Sequence, residues 1–139
     1  MPPLPSGLPE TVDDGEDLAR FLTQSGHYTQ QKVQPSAFLP SPNDKATSVS
    51  RHGRQPIERL MELGRAASIG RSLYGAAMLK AQDVRVAGLD VCADEPPECH
   101  ALIKHWPWID SDRQLEKARQ KEYALLLASA AGPPLLFHP

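Results

Sequence analysis

Apolar positions along the chain recur at spacings that differ from segment to segment, and each spacing predicts an element. Leu18, Phe21 and Leu22 stand at i, i+3 and i+4, which predicts a helix over 13–24. Asp13 or Asp14 would cap it, Glu16 and Asp17 would sit at its positive end, and Ser25-Gly26 would stop it. Next, SAFL (36–39) and TSVSR (47–51) flank the turn-forming run PSPNDK and read as the strands of a hairpin, with Val49 facing one way and Ser48 and Ser50 the other. Ile57, Leu60 and Met61, followed by Gly64, make the apolar stripe of a helix over 56–66, with Pro56 at its start.

The middle of the chain is ambiguous in period. SLYGAAML (72–79) fits either a strand or the start of an Ala-rich helix, AQDVRVAG (81–88) a short helix ended by Gly88, and LDVC (89–92) a strand. The run CHALIKHW (99–106) alternates. Cys99, Ala101 and Ile103 would face one side, His100, Leu102, Lys104 and Trp106 the other. The last helix is marked by the SDRQ capping box at Ser111 and Gln114, runs over about 112–131, and ends at Gly132 before Pro133-Pro134. Its inner face is expected to use Leu115, Ala118, Leu125 and Leu126, with Tyr123. Together these elements predict an α+β fold: a small mixed sheet packed in one layer against three or four helices, the C-terminal helix the firmest of them.

A chain of 139 residues suits one domain. Of the prolines, several cluster at the ends. They divide the chain into a Pro-rich tail (1–10, with a PxxP match from Pro2 to Pro5), a globular body (11–131) and an apolar C-terminal tail (132–139). The tail residues Leu135, Leu136 and Phe137 would either dock back on the body or meet a partner protein. The net charge of −2 argues against binding nucleic acid through the overall field. No apolar run approaches membrane-spanning length and no secretory signal pattern opens the chain, so a soluble, cytoplasmic protein is expected, with no membrane contact.

No catalytic or cofactor motif is present: no glycine-rich phosphate loop, no nucleophile elbow. Five histidines (His27, His52, His100, His105, His138) and two cysteines (Cys92, Cys99) include no chelating spacing, so neither a metal nor a cofactor is expected, and both thiols should be reduced. The basic positions Arg51, Arg54, Arg59, Arg65 and Arg71 are interrupted by Glu58 and Glu62 and read as solvated. The richest chemistry lies in DEPPECHALIKHWPW (94–108), where two histidines and both tryptophans crowd together. Trp106 is expected in the core, and Trp108 is a candidate contact for a partner.

If the strands 47–51 and 99–106 are neighbours, Ser50, Arg51, His100 and Lys104 would form a polar face suited to an anionic ligand, with Lys32 nearby. Two functions follow. The first is an accessory or binding module that contacts a partner protein or an anionic ligand, a small molecule or nucleic acid. The second is a compact hydrolase or transferase acting on a phosphate-containing substrate, such as a nucleotide or RNA, through His100, Arg51 and Lys32.

The ordered blocks KVQPSAFLP, SVSR, AGLDVCAD and CHALI, over roughly 32–103, resemble a pattern of short uncharacterised bacterial proteins. In these a basic residue leads into P-x-A-F, followed by S-V-x-R, G-L-x-V and H-A-x-I. Lys32, Phe38, Arg51 and His100 are the matching positions. The resemblance implies a bacterial source and a compact α+β domain, and brings no activity with it.

Overall fold

A computed structural model describes residues 4–53 and 55–137. Six strands build one sheet: β1 (Asp17–Leu22), β2 (Thr47–Arg51), β3 (Gly75–Lys80), β4 (Asp90–Ala93), β5 (His100–Lys104) and β6 (Leu135–Leu136). Their order is β4-β5-β2-β1-β3-β6, and every pairing is antiparallel, where a mixed sheet was expected. The helices are α1 (Ile57–Ala67), α2 (Ala81–Val86) and α3 (Arg113–Ala131). The α+β fold stands, but the helices occupy both faces of the sheet instead of one layer.

The register assigns the faces. One carries Leu18, Leu22, Ala77, Leu79, Val49, Ala101, Ile103 and Val91. With α2, α3, Phe38 and Trp106 it encloses the main core. The opposite face is covered near β1 and β3 by α1, which packs Leu60 on Ala19 and Ala76, with Phe21, Met78 and Phe137 alongside. Gly64 permits that approach, since a Cβ there would lie 2.9 Å from the Leu73 and Phe21 side chains.

Residues 17–22 form the central strand β1, not the helix expected over 13–24. A strand covered on both faces presents an almost continuous apolar run, and DLARFL satisfies a helical spacing by accident. The acids ahead of it are anchors, not caps: Glu16 binds Arg51, and Asp14 pairs with Arg85 at 2.6 Å. SAFL is likewise no strand. A 3-10 turn over Pro35–Phe38 buries Ala37 and Phe38, and the Thr47 hydroxyl donates to Phe38 O at 2.7 Å. The expected hairpin reduces to a Ser41–Ala46 bridge.

Helix α3 has the expected extent but a different inner face. Glu116, Gln120, Ala124, Leu127 and Ala128 are buried and Tyr123 half-buried, while Leu115, Leu125 and Leu126 are exposed. Ala118 is exposed too. Two polar residues disguise the buried stripe. Glu116 accepts from Ile109 N at 2.7 Å, and Gln120 donates to Pro107 O at 2.8 Å, so both hold the turn before the helix. The cap is Asp112, whose carboxylate accepts from Leu115 N at 3.0 Å, and not Ser111.

Both tails are fastened to the body. Ser6 donates through its N–H and hydroxyl to Glu95. Leu135–Leu136 pair with Gly75 and Ala76 as the edge strand β6. Gly75 is required for that pairing, because a Cβ would stand 2.2 Å from Leu135 O. Among the described residues no helix is long and apolar enough to cross a membrane.

Candidate functional site

The α1 side of the sheet is covered only in part, and this opens a cavity of about 560 Å3. Its floor is β1, β2 and β5; its roof is α1 and the segment after it; the loop at Pro97 and Glu98 closes one side. Ser50 and His100 both line it. They are cross-strand partners, and the Arg51 N–H to Cys99 O bond of 2.7 Å makes them a non-hydrogen-bonded pair. In such a pair the side chains approach most closely, with Cα atoms about 4.5 Å apart. The expected juxtaposition of Ser50 with His100 is therefore present.

The other expected members are elsewhere. Arg51 follows Ser50 on the strand, so it points to the opposite face, where it is completely buried. Its guanidinium donates to both Glu16 carboxylate oxygens at 2.6 and 2.8 Å and to Pro9 O at 2.7 Å. It is a structural ion pair, buried on the face away from the cavity. Lys104 is exposed at the far end of β5, opposite Asp90. Lys32 is exposed in the Thr29–Lys32 turn and does not line the cavity. The partner-contact candidates are partly spent on the fold. Trp108 is half-buried against the core, with Lys45 Nζ 5.7 Å from its ring centroid. Leu136 and Phe137 are half-buried, and Leu135 is 37% exposed. Trp106 is buried as expected, donating to Ile103 O at 3.1 Å. It lies on the core side, not the His100 side, because His105 takes a positive φ of 74° and breaks the alternation.

In place of Arg51 the cavity has Arg20 and Arg71. The β1–β2 ladder stops after Ala19 and Ser50. Arg20 fills the gap beyond: Nε donates to Ala37 O at 2.8 Å and Nη1 to Ser48 O at 2.9 Å. The residue is half-buried, as expected at a cavity floor. Among the described residues no carboxylate pairs with it. Burial, and then the Arg71 charge, push its pKa down to about 10. Burial and then the Arg20 charge lower that of His27. Two of the serines lining the cavity, Ser50 and Ser68, have buried hydroxyls with no hydrogen-bond partner among the described residues. A half-buried cation without a carboxylate and two idle buried hydroxyls each cost stability.

The cavity is polarised along α1. Near the helix start, Arg59 is paired with Glu62 and Glu98. On the same side His100 Nδ1 lies 3.0 Å from both Asp94 Oδ2 and Asp94 O. Both are acceptors, so Nδ1 donates. Beyond the helix end stand Ser68 and Arg71. Between them Phe21, Leu63, Ala66 and Ala67 supply an apolar wall.

Arginine inside the apolar run DLARFL was the signal for Arg20, since a cation between core residues needs a reason. Arg71 belongs to the basic series read as solvated. That series is dispersed: Arg51 in the core, Arg59 and Arg71 on the cavity, Arg65 exposed, Arg54 outside the described residues. Pro2 of the PxxP match and His138 also fall outside them. A second cavity, of about 600 Å3, lies between the 3-10 segment and α3 and carries the exposed lysines Lys117 and Lys121. It contains no unpartnered buried group among the described residues. Compared with known proteins, the chain matches no family model, no curated protein and no solved structure.

Proposed function

We propose that this protein is a binding module for a small organic anion, held in the cavity between α1 and the β1–β2–β5 face. The observation that carries the reading is Arg20: a guanidinium without a carboxylate among the described residues, lining a space together with Arg71 and with two serines whose buried hydroxyls lack a partner. Folding tolerates such a group poorly unless something else compensates it, and an anion accepting from guanidinium and hydroxyl together would do so. The polar face around His100 contributes Ser50 and His100, and Arg20 and Arg71 take the role first given to Arg51.

A titration followed by backbone NMR tests this. Inorganic phosphate and citrate are the probes. Shifts should concentrate at Ser50, Ser68 and Arg71, saturate, and disappear in Arg20→Gln. Small unsaturated shifts spread over α3 as well would refute it.

A second reading, a hydrolase or transferase acting on a phosphate-containing substrate, is favoured by the Asp94–His100 hydrogen bond, which orients a ring on the same cavity. Arg51 and Lys32 have no part in it. Turnover of a phosphate ester by the wild type, abolished in His100→Gln, would decide for it; binding without turnover would decide against.

A further inference from the structure

We infer that the ligand of this cavity is a phosphate monoester with an uncharged, largely apolar body, its phosphoryl group at the Arg20–Arg71–Ser68 end and its body along the inner face of α1. The inference rests on the anion-binding reading and goes on to name the ligand class and its orientation.

Donor count and charge set the head group. A guanidinium has five N–H donors. Arg20 uses two, on Ala37 O and Ser48 O, and Arg71 uses one, on Ala67 O at 3.0 Å. Seven N–H groups therefore remain on the two side chains, and the Ser68 hydroxyl adds another donor. A carboxylate has two oxygens, about four lone-pair sites, and one charge, so it would leave much of this set idle. A phosphate monoester offers three terminal oxygens and a charge of about −1.5 to −2, which matches two guanidinium groups. The end of a helix normally repels an anion. Here the Arg71 bond to Ala67 O covers one of those terminal carbonyls.

The rest of the cavity sets the body. A volume of about 560 Å3 far exceeds a phosphate ion and lies in the range of small-molecule sites. From Arg59 to Ala67 the helix rises about 12 Å, at 1.5 Å per residue. Leu63, Ala66 and Phe21 line the way. At the far end Glu62 and Glu98 flank Arg59 and satisfy its charge. A second anionic group would meet those carboxylates, so polyphosphates and diacids are disfavoured. Ser50 Oγ and His100 remain there for one hydroxyl or carbonyl at the tail of the ligand.

Isothermal titration of the full chain with inorganic phosphate, phenyl phosphate and benzoate tests this. Phenyl phosphate should bind at least tenfold more tightly than either of the others. Arg71→Gln, at an exposed position where folding is not at stake, should weaken phenyl phosphate and inorganic phosphate alike, by tenfold or more. Ala66→Leu, which narrows the apolar wall, should weaken phenyl phosphate alone. If inorganic phosphate binds as tightly as phenyl phosphate, the inference about the body is overturned while the anion site stands. If benzoate equals phenyl phosphate, the phosphoryl assignment is overturned. If none of the three binds, the anion-binding reading fails and this inference with it.

Discussion

Replacing Arg51 separates a structural arginine from the two proposed to hold the anion. Arg51 is fully buried and Glu16 is 13% exposed in its side chain. Arg51→Met removes both charge-assisted bonds to Glu16, at 2.6 and 2.8 Å, and the donor to Pro9 O at 2.7 Å. The carboxylate then remains enclosed without its cation. Breaking a buried pair from one side costs about 3–5 kcal/mol, more than the pair itself is worth, because the remaining charge is stranded. At roughly 3–4 °C per kcal/mol for a chain of this length, the midpoint should fall by about 10–20 °C. Urea unfolding gives the free energy, and a cycle with Glu16→Gln isolates the coupling. The double variant should be less destabilised than the sum of the two single ones, since neither charge is then left alone. In whatever fraction remains folded, anion affinity should equal that of the wild type, because Arg51 faces away from the cavity. A loss below about 1 kcal/mol, or additive single effects, would show that the pair does not hold the segment 9–16 to β2. A loss of affinity without a loss of stability would return Arg51 to the site.

Further consequences are open to measurement. Leu127→Ala should cost about 2–5 kcal/mol by urea unfolding, whereas Leu126→Ala, at a side chain 53% exposed, should cost well under 1 kcal/mol; the reverse order would mean that α3 is rotated about its axis. Gly75→Ala should displace β6, because the new Cβ would meet Leu135 O, and the Phe137 amide, bonded to Tyr74 O at 2.9 Å, should lose its protection from hydrogen exchange; unchanged protection would contradict the pairing. The hydrogen bond from Arg85 holds the Asp90 carboxyl below its ordinary pKa. A lowered folded-state value contributes stability that is complete above the ordinary aspartate pKa and is lost as the pH falls through the lowered one. Asp90→Asn should therefore flatten the acid limb of a stability–pH curve, and an unaltered limb would exclude the pair as a contributor.

What the sequence determined by itself is whatever depends on neighbours along the chain. The extents of β2, α1, α2, β4, β5 and α3 follow from local period, Pro56 and the Gly88 and Gly132 stops. The pairing of Ser50 with His100 followed from two alternating strands assumed adjacent. The tertiary structure decided whatever depends on which faces are covered. DLARFL became a strand because α1 covers it on one side and the main core, with the 3-10 segment Pro35–Phe38, on the other, and no local spacing encodes a second cover. Glu116 and Gln120 turned inward because a turn before α3 offered them partners, which left Leu125 and Leu126 outside. For the same reason Arg51 left the polar face expected of it, while Arg20, of which no role was expected, lines the cavity. Each arginine's function depends on whether a carboxylate reaches it, and Glu16 reaches Arg51 across 35 residues of chain while no acid among the described residues reaches Arg20. Sequence gives the charge of an arginine; only the packing of distant segments decides whether that charge is neutralised within the fold or left for a ligand.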